Sequence, residues 1–344
     1  MEATATQAEA WDVRAVQGPG GRYRNVEETR LFRGGNSHRI FTRFVFERGE
    51  RVPSVTLPVV TPDADGLRRP PPAGVRATWL GHSTVLLEVD GRRVLCDPLW
   101  AERSSPVRGV GPRRFHPPPL PLAELPDPDV VAISHDHYDH LDAATVKALA
   151  ARRTRFAVPL GVGRRLADWG VPAERISERG WWESVEVVPG ELELTAAPTR
   201  HFSGRGPFDR NRTQWTSWVV RGPRSRVYFG GDGGWSATFG EIGRRLGPFD
   251  LTLLEIGAFD PAWGEVHLGP ANAVRAHGEL RGRVLLPIHW GTLNLGLHAW
   301  HAPPEQLLEV AAAAGIEFAL PRPGQSIVVG EPLPTEPWWR TLRP

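Results

Sequence analysis

The sequence predicts an α/β protein of two β-sheets, each covered by helices on its outer face. Three observations carry that reading. The chain first runs through short apolar segments in hairpin order, then alternates strand-like with helix-like periodicity, and ends several of its strands on histidine or aspartate. "RATWLG", "TVLLEVD" and "RVLCDP" read as strands, with "DG" at 90–91 as the turn between the second and third. A proline-rich loop, "FHPPPLPLAELPDPD", leads into the strand "VVAIS", after which "DAATVKALAARR" has helical spacing with Asp142 as N-cap. Further strands are expected at "RFAVPL", "SVEVV", "LELTAAP", "TSWVVRG", "RVYFGGD", "LTLLEIG" and "VLLPIHW". The helical stretches between or after them are "VGRRLADWG", "TFGEIGRRLG", "PANAVRAHGEL" and "PPEQLLEVAAAAG". No internal repeat of the solenoid kind is present. Residues 1–75 show weak periodicity and end in "RRPPPAG", which favours an extended chain. They are read as an N-terminal extension, extended or wrapping the core, followed by a main domain at 76–330 and a tail at 331–344.

The composition is that of a soluble globular protein: 40% hydrophobic and 23% charged, with 41 Lys+Arg against 39 Asp+Glu over 344 residues. A net charge of +2, with Lys147 the only lysine and no basic run, leaves no electrostatic footprint for nucleic acid. The one cysteine, Cys96, rules out an internal disulfide framework and fits a reducing compartment; its apolar strand makes it a small buried hydrophobe rather than a nucleophile. The opening "MEATATQAEAW" has no apolar core of a signal peptide, and no run of 18 apolar residues occurs, so the expectation is a cytoplasmic protein. Most of the 14 tryptophans read as packing, with an aromatic rim in peripheral contact with a membrane as the alternative.

The chemistry concentrates in "SHDHYDHLD", residues 134–142, which places three histidines and three aspartates directly after an apolar strand. Burying such groups without partners costs several kcal/mol each, and a bound cation is the simplest compensation. His135 and His137 alternate with Asp136, so in an extended segment they point to one side; Asp139 and His140 follow once the chain has turned. "TAAPTRH" delivers His201, "VYFGGD" delivers Asp232 and "LLPIH" delivers His289, each at a strand end where loops of α/β folds converge. The candidate set is His135, His137 and His201 for one metal and Asp139, His140 and His289 for another, with Asp232 bridging. Mixed imidazole and carboxylate ligation suits two Zn²⁺ ions, and also iron or manganese. A lone histidine such as His38 or His298 reads as a surface or hydrogen-bonded residue.

"TWLGHSTVLLEVDGRRVLCDPLW", "SHDHYDHLD", "RHFSGRGPFDRN", "FGGDGG" and "PIHWGT" together resemble the metallo-β-lactamase-fold hydrolases, over roughly residues 75–325 and in the right order. More narrowly, "GRGPFDRN" and "PIHWGT" resemble the branch related to N-acyl phosphatidylethanolamine phospholipase D. The resemblance implies an αββα sandwich, a dinuclear zinc site at its edge formed by the seven positions above, and hydrolysis by a metal-bound hydroxide. It also implies that Asp97, at the end of its strand, receives the free ring N–H of a metal-bound histidine. Where relatives commonly carry threonine or serine after the bridging aspartate, this chain has Gly233, which is expected to loosen the surroundings of Asp232.

Around that site His82 either lines the cavity or caps a turn. His267, before a helix, is the candidate to contact phosphate or protonate a leaving group, and Arg205, between glycines after His201, is the candidate to hold a pair of phosphate oxygens. With Asp139 they form the catalytic set. The substrate expected is a small-molecule or lipid phosphodiester. Lactone or other cyclic-ester hydrolysis is the alternative, and a non-catalytic metal-binding protein is the rival from outside enzymes. A β-lactamase fits less well because Cys96 precedes the motif, and the oligomeric state is not encoded legibly.

Overall fold

The computed structural model describes residues 14–31, 42, 50–69, 73–107, 109–260 and 263–342. His38, and the segment "MEATATQAEAW" with it, lie outside the described residues. A short hairpin of β1 (Val16–Gln17) and β2 (Tyr23–Arg24) comes first, and helix α1 (Ala64–Arg68) precedes the main body. The first sheet is built from β3 (Val75–Trp79), β4 (Val85–Val89), β5 (Arg92–Cys96), β6 (Val130–Ala132), β7 (Arg155–Pro159) and β8 (Ile176–Arg179), with helices α2 (Ala143–Ala150) and α3 (Gly163–Asp168) between its later strands. The second contains β9 (Ser184–Val188), β10 (Leu192–Ala197), β11 (Ser217–Arg221), β12 (Arg226–Phe229), β13 (Phe249–Glu255), β14 (Gly282–Ile288) and β15 (Glu317–Phe318). Helices α4 (Thr238–Leu246), α5 (Gly269–Glu279) and α6 (Ala302–Ala314) accompany it, and β16 (Ser326–Val328) returns to the first sheet.

The strand orders are β16-β3-β4-β5-β6-β7-β8 and β15-β14-β13-β12-β11-β10-β9. In each sheet the hairpin strands pair antiparallel and the strands joined through helices pair parallel, from β5 to β8 and from β12 to β15. This is the two-layer sandwich with outer helices that the sequence predicts. The unforeseen strands are short or polar: β8, "ISER", is half-buried along its whole length, and β15 and β16 are two and three residues long.

Burial explains why the central strands read as continuous apolar runs instead of alternating ones. Along β4, Val85, Leu87 and Val89 enter the core between the sheets, whereas Leu86 joins Leu95, Val131, Ile133, Val146, Leu149 and Leu166 beneath the helices of the first sheet. Cys96 is fully buried in the inter-sheet core, and burial pushes its thiol well above the ordinary range, as a packing role requires. Most of the tryptophans are packing residues too. Trp79, Trp181, Trp215, Trp218, Trp290, Trp300, Trp338 and Trp339 are buried, and the last two, in the tail, pack against Trp290, one tilted and one edge-on, with ring centroids 5.8 and 5.5 Å away.

Relative to their neighbours, β3, β5, β6, β10, β12, β13 and β14 all run the same way within their sheets. Their C-terminal ends carry His82, Asp97, the 134–142 motif, His201, Asp232, Glu255 and His289. The motif turns into α2 through Asp142, whose carboxylate accepts from Ala144 N (3.2 Å), Thr145 N (3.3 Å) and, from the neighbouring loop, Ala101 N (3.2 Å). Replacing Asp142 by Ala removes that cap, and a loss of about 1–2 kcal/mol in unfolding free energy is expected in urea titrations, with an unchanged m-value.

Candidate metal centre

Three imidazoles meet first. His135 Nε2 lies 2.8 Å and His201 Nε2 3.4 Å from His137 Nδ1. Their other nitrogens set the tautomers. Ser134 Oγ donates to Asp97 Oδ2 (2.5 Å) and so accepts from His135 Nδ1 (2.9 Å), while His201 Nδ1 donates to Val266 O (2.9 Å). Both leave the Nε2 lone pair facing the centre. Burial, joined by the neighbouring imidazoles, pushes the pKa of His135 and of His201 well below the usual histidine value, and burial lowers that of His137, so the trio is neutral and ready to coordinate. Asp136 turns the other way, accepting from Gly204 N (2.8 Å) and Arg165 Nε (3.1 Å).

A second group adjoins it. Asp139 Oδ2 lies 2.9 Å from His82 Nε2, 3.2 Å from His140 Nε2 and 3.5 Å from His289 Nε2. Asp232 Oδ2 stands between the groups, 3.2 Å from His140 Nε2, 3.1 Å from His289 Nε2 and 3.9 Å from His201 Nε2. His140 Nδ1 donates to Asp97 Oδ2 (2.7 Å), which again aims Nε2 inward. His140 Nε2, Asp232 Oδ1 and both ring nitrogens of His289 are buried without an aligned hydrogen-bond partner. Orphaned atoms of this kind, all on groups that ligate cations, are atoms a cation would pair, so the residues fit the expected ions. Burial opposes charge on His289, but Asp232 and Asp139 outweigh it and raise its pKa to about 10, and His140 is raised in the same way. The carboxyls of Asp139 and Asp232 are held well below their usual range, burial being overridden by His140 and His289.

His82 lines this cavity instead of merely capping a turn: its ring centroid is 4.1 Å from that of His289, and its backbone has φ +53°. Thr292 Oγ1 accepts from His82 N (2.7 Å), while Trp79 Nε1 (2.8 Å) and His289 N (3.0 Å) donate to His82 O. His289 and Asp97 also have positive φ, +62° and +37°, a conformation that non-glycine residues hold only when their surroundings enforce it.

The catalytic candidates separate. His267 Nδ1 donates to Glu255 Oε2 (2.7 Å), and its ring lies 5.3 Å from His201 and 5.7 Å from His289 by centroids. Burial works against its charge, but Glu255 prevails and raises the pKa. Arg205 has a different place: Nη1 donates to the carbonyls of Asp136 (2.8 Å) and Leu141 (2.7 Å), and the guanidinium lies over the Tyr138 ring at 3.8 Å. Those contacts brace the motif loop from behind. Gly233 does not leave a void, since a Cβ there would stand 2.0 Å from Thr199 Oγ1, and the threonine hydroxyl takes that space. His298 joins His82 and His289 in lining a small pocket beside the centre.

Glu255 was not singled out from sequence. Its carboxylate is fully buried and accepts from Gly233 N (2.8 Å), Leu268 N (3.2 Å) and His267, tying the Asp232 loop to the start of α5. The available signal was its place as the only charge ending the apolar strand "LTLLE", the same kind of position that marked Asp232 and His289.

The family described as "Beta-lactamase superfamily domain" matches residues 92–290. An uncharacterized protein of Mycobacterium tuberculosis is 44% identical over 98% of this chain and 92% of its own length. The N-acyl-phosphatidylethanolamine-hydrolyzing phospholipase D 1 of Caenorhabditis elegans is 39% identical over 76% of this chain and 75% of its own. A metallo hydrolase from the archaeon Ignicoccus hospitalis shares the fold at TM-score 0.55 and 22% identity, over 75% of this chain and 99% of that one.

Because Asp232 and Asp139 favour the charged forms of His140 and His289, metal uptake by metal-free protein near neutral pH is expected to release protons. The apparent affinity should then fall as pH falls, since protons compete with the cation for these nitrogens. Titration calorimetry in two buffers of different ionisation enthalpy reads this directly; identical heats in both would contradict it.

Proposed function

The chain belongs to the beta-lactamase superfamily of metal-dependent hydrolases, and from that premise we propose that it is a dinuclear phosphodiesterase acting on an N-acylated glycerophospholipid or a close analogue. The observation that carries the reading is the position of Asp232 Oδ2 between the His135/His137/His201 trio and the Asp139/His140/His289 group, which supplies a hard oxygen shared by two adjoining sites. The named C. elegans relative supports the choice of substrate. His135, His137 and His201 would hold one cation and Asp139, His140 and His289 the other, with zinc favoured and iron or manganese compatible with the same donors. Two such cations would supply Lewis acidity toward phosphoryl oxygens and would lower the pKa of a water from about 15.7 toward neutrality.

The chain's own residues do the rest. Asp97 and Ser134 fix the outer ring nitrogens of His140 and His135 and so aim the inner ones at the centre. Glu255 holds His267 by Nδ1 and favours its charged form, which leaves a proton at Nε2 for a departing alkoxide oxygen. Arg205 fixes the motif loop, so its contribution is to ligand geometry. Among the described residues no helix is long and apolar enough to cross a membrane. The location that goes with this reading is the cytoplasm, with the lipid substrate met at a membrane surface.

Elemental analysis of protein purified without chelator should find about two metals per chain, and Asp232→Asn and His137→Ala should each lower turnover by about two or more orders of magnitude. Circular dichroism of both variants should match the parent, since the inter-sheet core lies away from the edge. Near-normal rates in either would remove its ligand assignment.

The substrate class is tested by comparing kcat/KM for a lipid phosphodiester, bis(p-nitrophenyl) phosphate and a homoserine lactone on one metal-replete preparation. The lipid phosphodiester should lead. A lactone preferred by about tenfold, roughly 1.4 kcal/mol in transition-state stabilisation, would replace this reading with that of a lactonase.

A further inference from the structure

We propose that residues 25–31, in the N-terminal region outside the main domain, are a working part of the metal centre, with Asn25 the positioning residue that sets His201 against the other donors. His201 stands in the loop beyond β10, which ends at Ala197, and among the described residues no strand pairs with its peptide; the isolated bridge Arg200–Gly234 is the ladder contact beside it. Asn25 supplies what the sheet does not. Its Nδ2 donates to His201 O (2.8 Å), and its Oδ1 accepts from His201 N (3.0 Å) and from Trp215 Nε1 (2.9 Å). One side chain thus closes both backbone groups of a donor residue and is itself pinned by a buried indole.

The same stretch governs the ring. The acceptor of His201 Nδ1 is Val266 O, and the two residues before Val266 are held by the strap: Gly264 N donates to Leu31 O (2.7 Å) and Glu265 N to Arg30 O (3.0 Å). A Cβ on Gly264 would stand 1.5 Å from Arg30 O, so the approach requires glycine. Arg200, beside His201, donates to Thr29 Oγ1 (3.0 Å), Glu28 O and Glu265 Oε2 (2.5 Å). Glu27 Oε1 accepts from Ser236 Oγ (2.7 Å) and Ala237 N (3.0 Å), just beyond Asp232. Seven consecutive residues therefore bind the loops of His201, Asp232 and His267 to one another. They do so through polar contacts, and none of the seven belongs to either hydrophobic core cluster. That division is what separates a positioning element from a structural one: loosening the strap frees the donors and leaves the sandwich packed.

The inference rests on the metal-centre reading but not on the substrate, and its test uses no substrate. The full-length parent, Asn25→Ala, Asn25→Asp and Gly264→Ala are stripped of metal and titrated with Zn²⁺ against a chromophoric chelator; Co²⁺ absorption spectra are recorded at saturation. Asn25→Ala and Gly264→Ala should bind Zn²⁺ about 10–100-fold more weakly, the scale seen when a ligand loses its supporting hydrogen bonds. Their Co²⁺ bands should shift. Asn25→Asp, which keeps both accepted hydrogen bonds and loses the donated one, should fall between them and the parent. Far-UV circular dichroism and the urea midpoint of the metal-free variants should stay at parent values. Affinity within about twofold of the parent and superimposable Co²⁺ spectra for Asn25→Ala would overturn the assignment, because the effect expected is at least about tenfold. A collapse of the metal-free urea midpoint would also overturn it, since the strap would then be holding the fold. A parent that takes up no metal would instead bring down the metal-centre reading beneath it.

Discussion

Imidazoles and carboxylates packed within hydrogen-bond range of one another, out of water, need positive charge among them, and the edge of this sandwich is organised around that electrostatic constraint. Asp232 and Asp139 favour positive charge on His140 and His289, and a cation would meet the same need while also pairing Asp232 Oδ1, a buried oxygen without a hydrogen-bond partner. The neutral trio of His135, His137 and His201 is the complement: burial has already removed the competing protons there. One half of the centre is therefore suited to metal by desolvation, and the other by carboxylates that favour positive charge beside them.

Such a cluster cannot be built by side chains alone. His82, Asp97 and His289 hold backbone angles that cost non-glycine residues of order 1–3 kcal/mol each, and they keep them because Thr292, Trp79 and the Ala132 carbonyl fix the adjoining peptides. The sheets supply rigid strand ends, and the turns that follow them aim the donors. Arg205 belongs to the same layer of support: stacked on Tyr138 and bonded to motif carbonyls, it turns a loop into a fixed platform.

The legible features were those whose chemistry is local. Strand after strand ended where a histidine or aspartate stood, because a buried strand cannot carry such a residue in its interior without a partner, and the His/Asp run after "VVAIS" named the loop outright. Less legible were contacts that join distant segments. Nothing near Arg205 in sequence announces that its fork is occupied by carbonyls at 136 and 141, and its glycine neighbours suggested an open loop instead. Glu255 looks like an ordinary strand-end carboxylate until the loops at 233 and 268 are brought to it. Asn25 sits in a region of weak periodicity, and periodicity reports burial of apolar faces, not polar bracing. The Gly233 departure misled for the same reason: the hydroxyl that fills its space comes from Thr199, on another strand's loop.

The two sheets repeat one plan, hairpin strands followed by parallel strands linked through helices, and each contributes part of both donor groups. His135 and His137 come from the first sheet and His201 from the second; Asp139 and His140 come from the first and His289 from the second. A cation in either group therefore links the layers across their edge, and Asp232, from the second sheet, reaches His140 of the first. Deep between the layers Trp218, Leu87, Val94 and Leu194 already hold the sheets by apolar burial, so the linkage is not what keeps the sandwich closed. It fixes instead the relative position of the two sets of strand ends, the one degree of freedom that apolar packing, being non-directional, leaves soft. Directional contacts are concentrated at this edge because the chemistry proposed for it tolerates misplacement of only about half an ångström in the groups that carry it out.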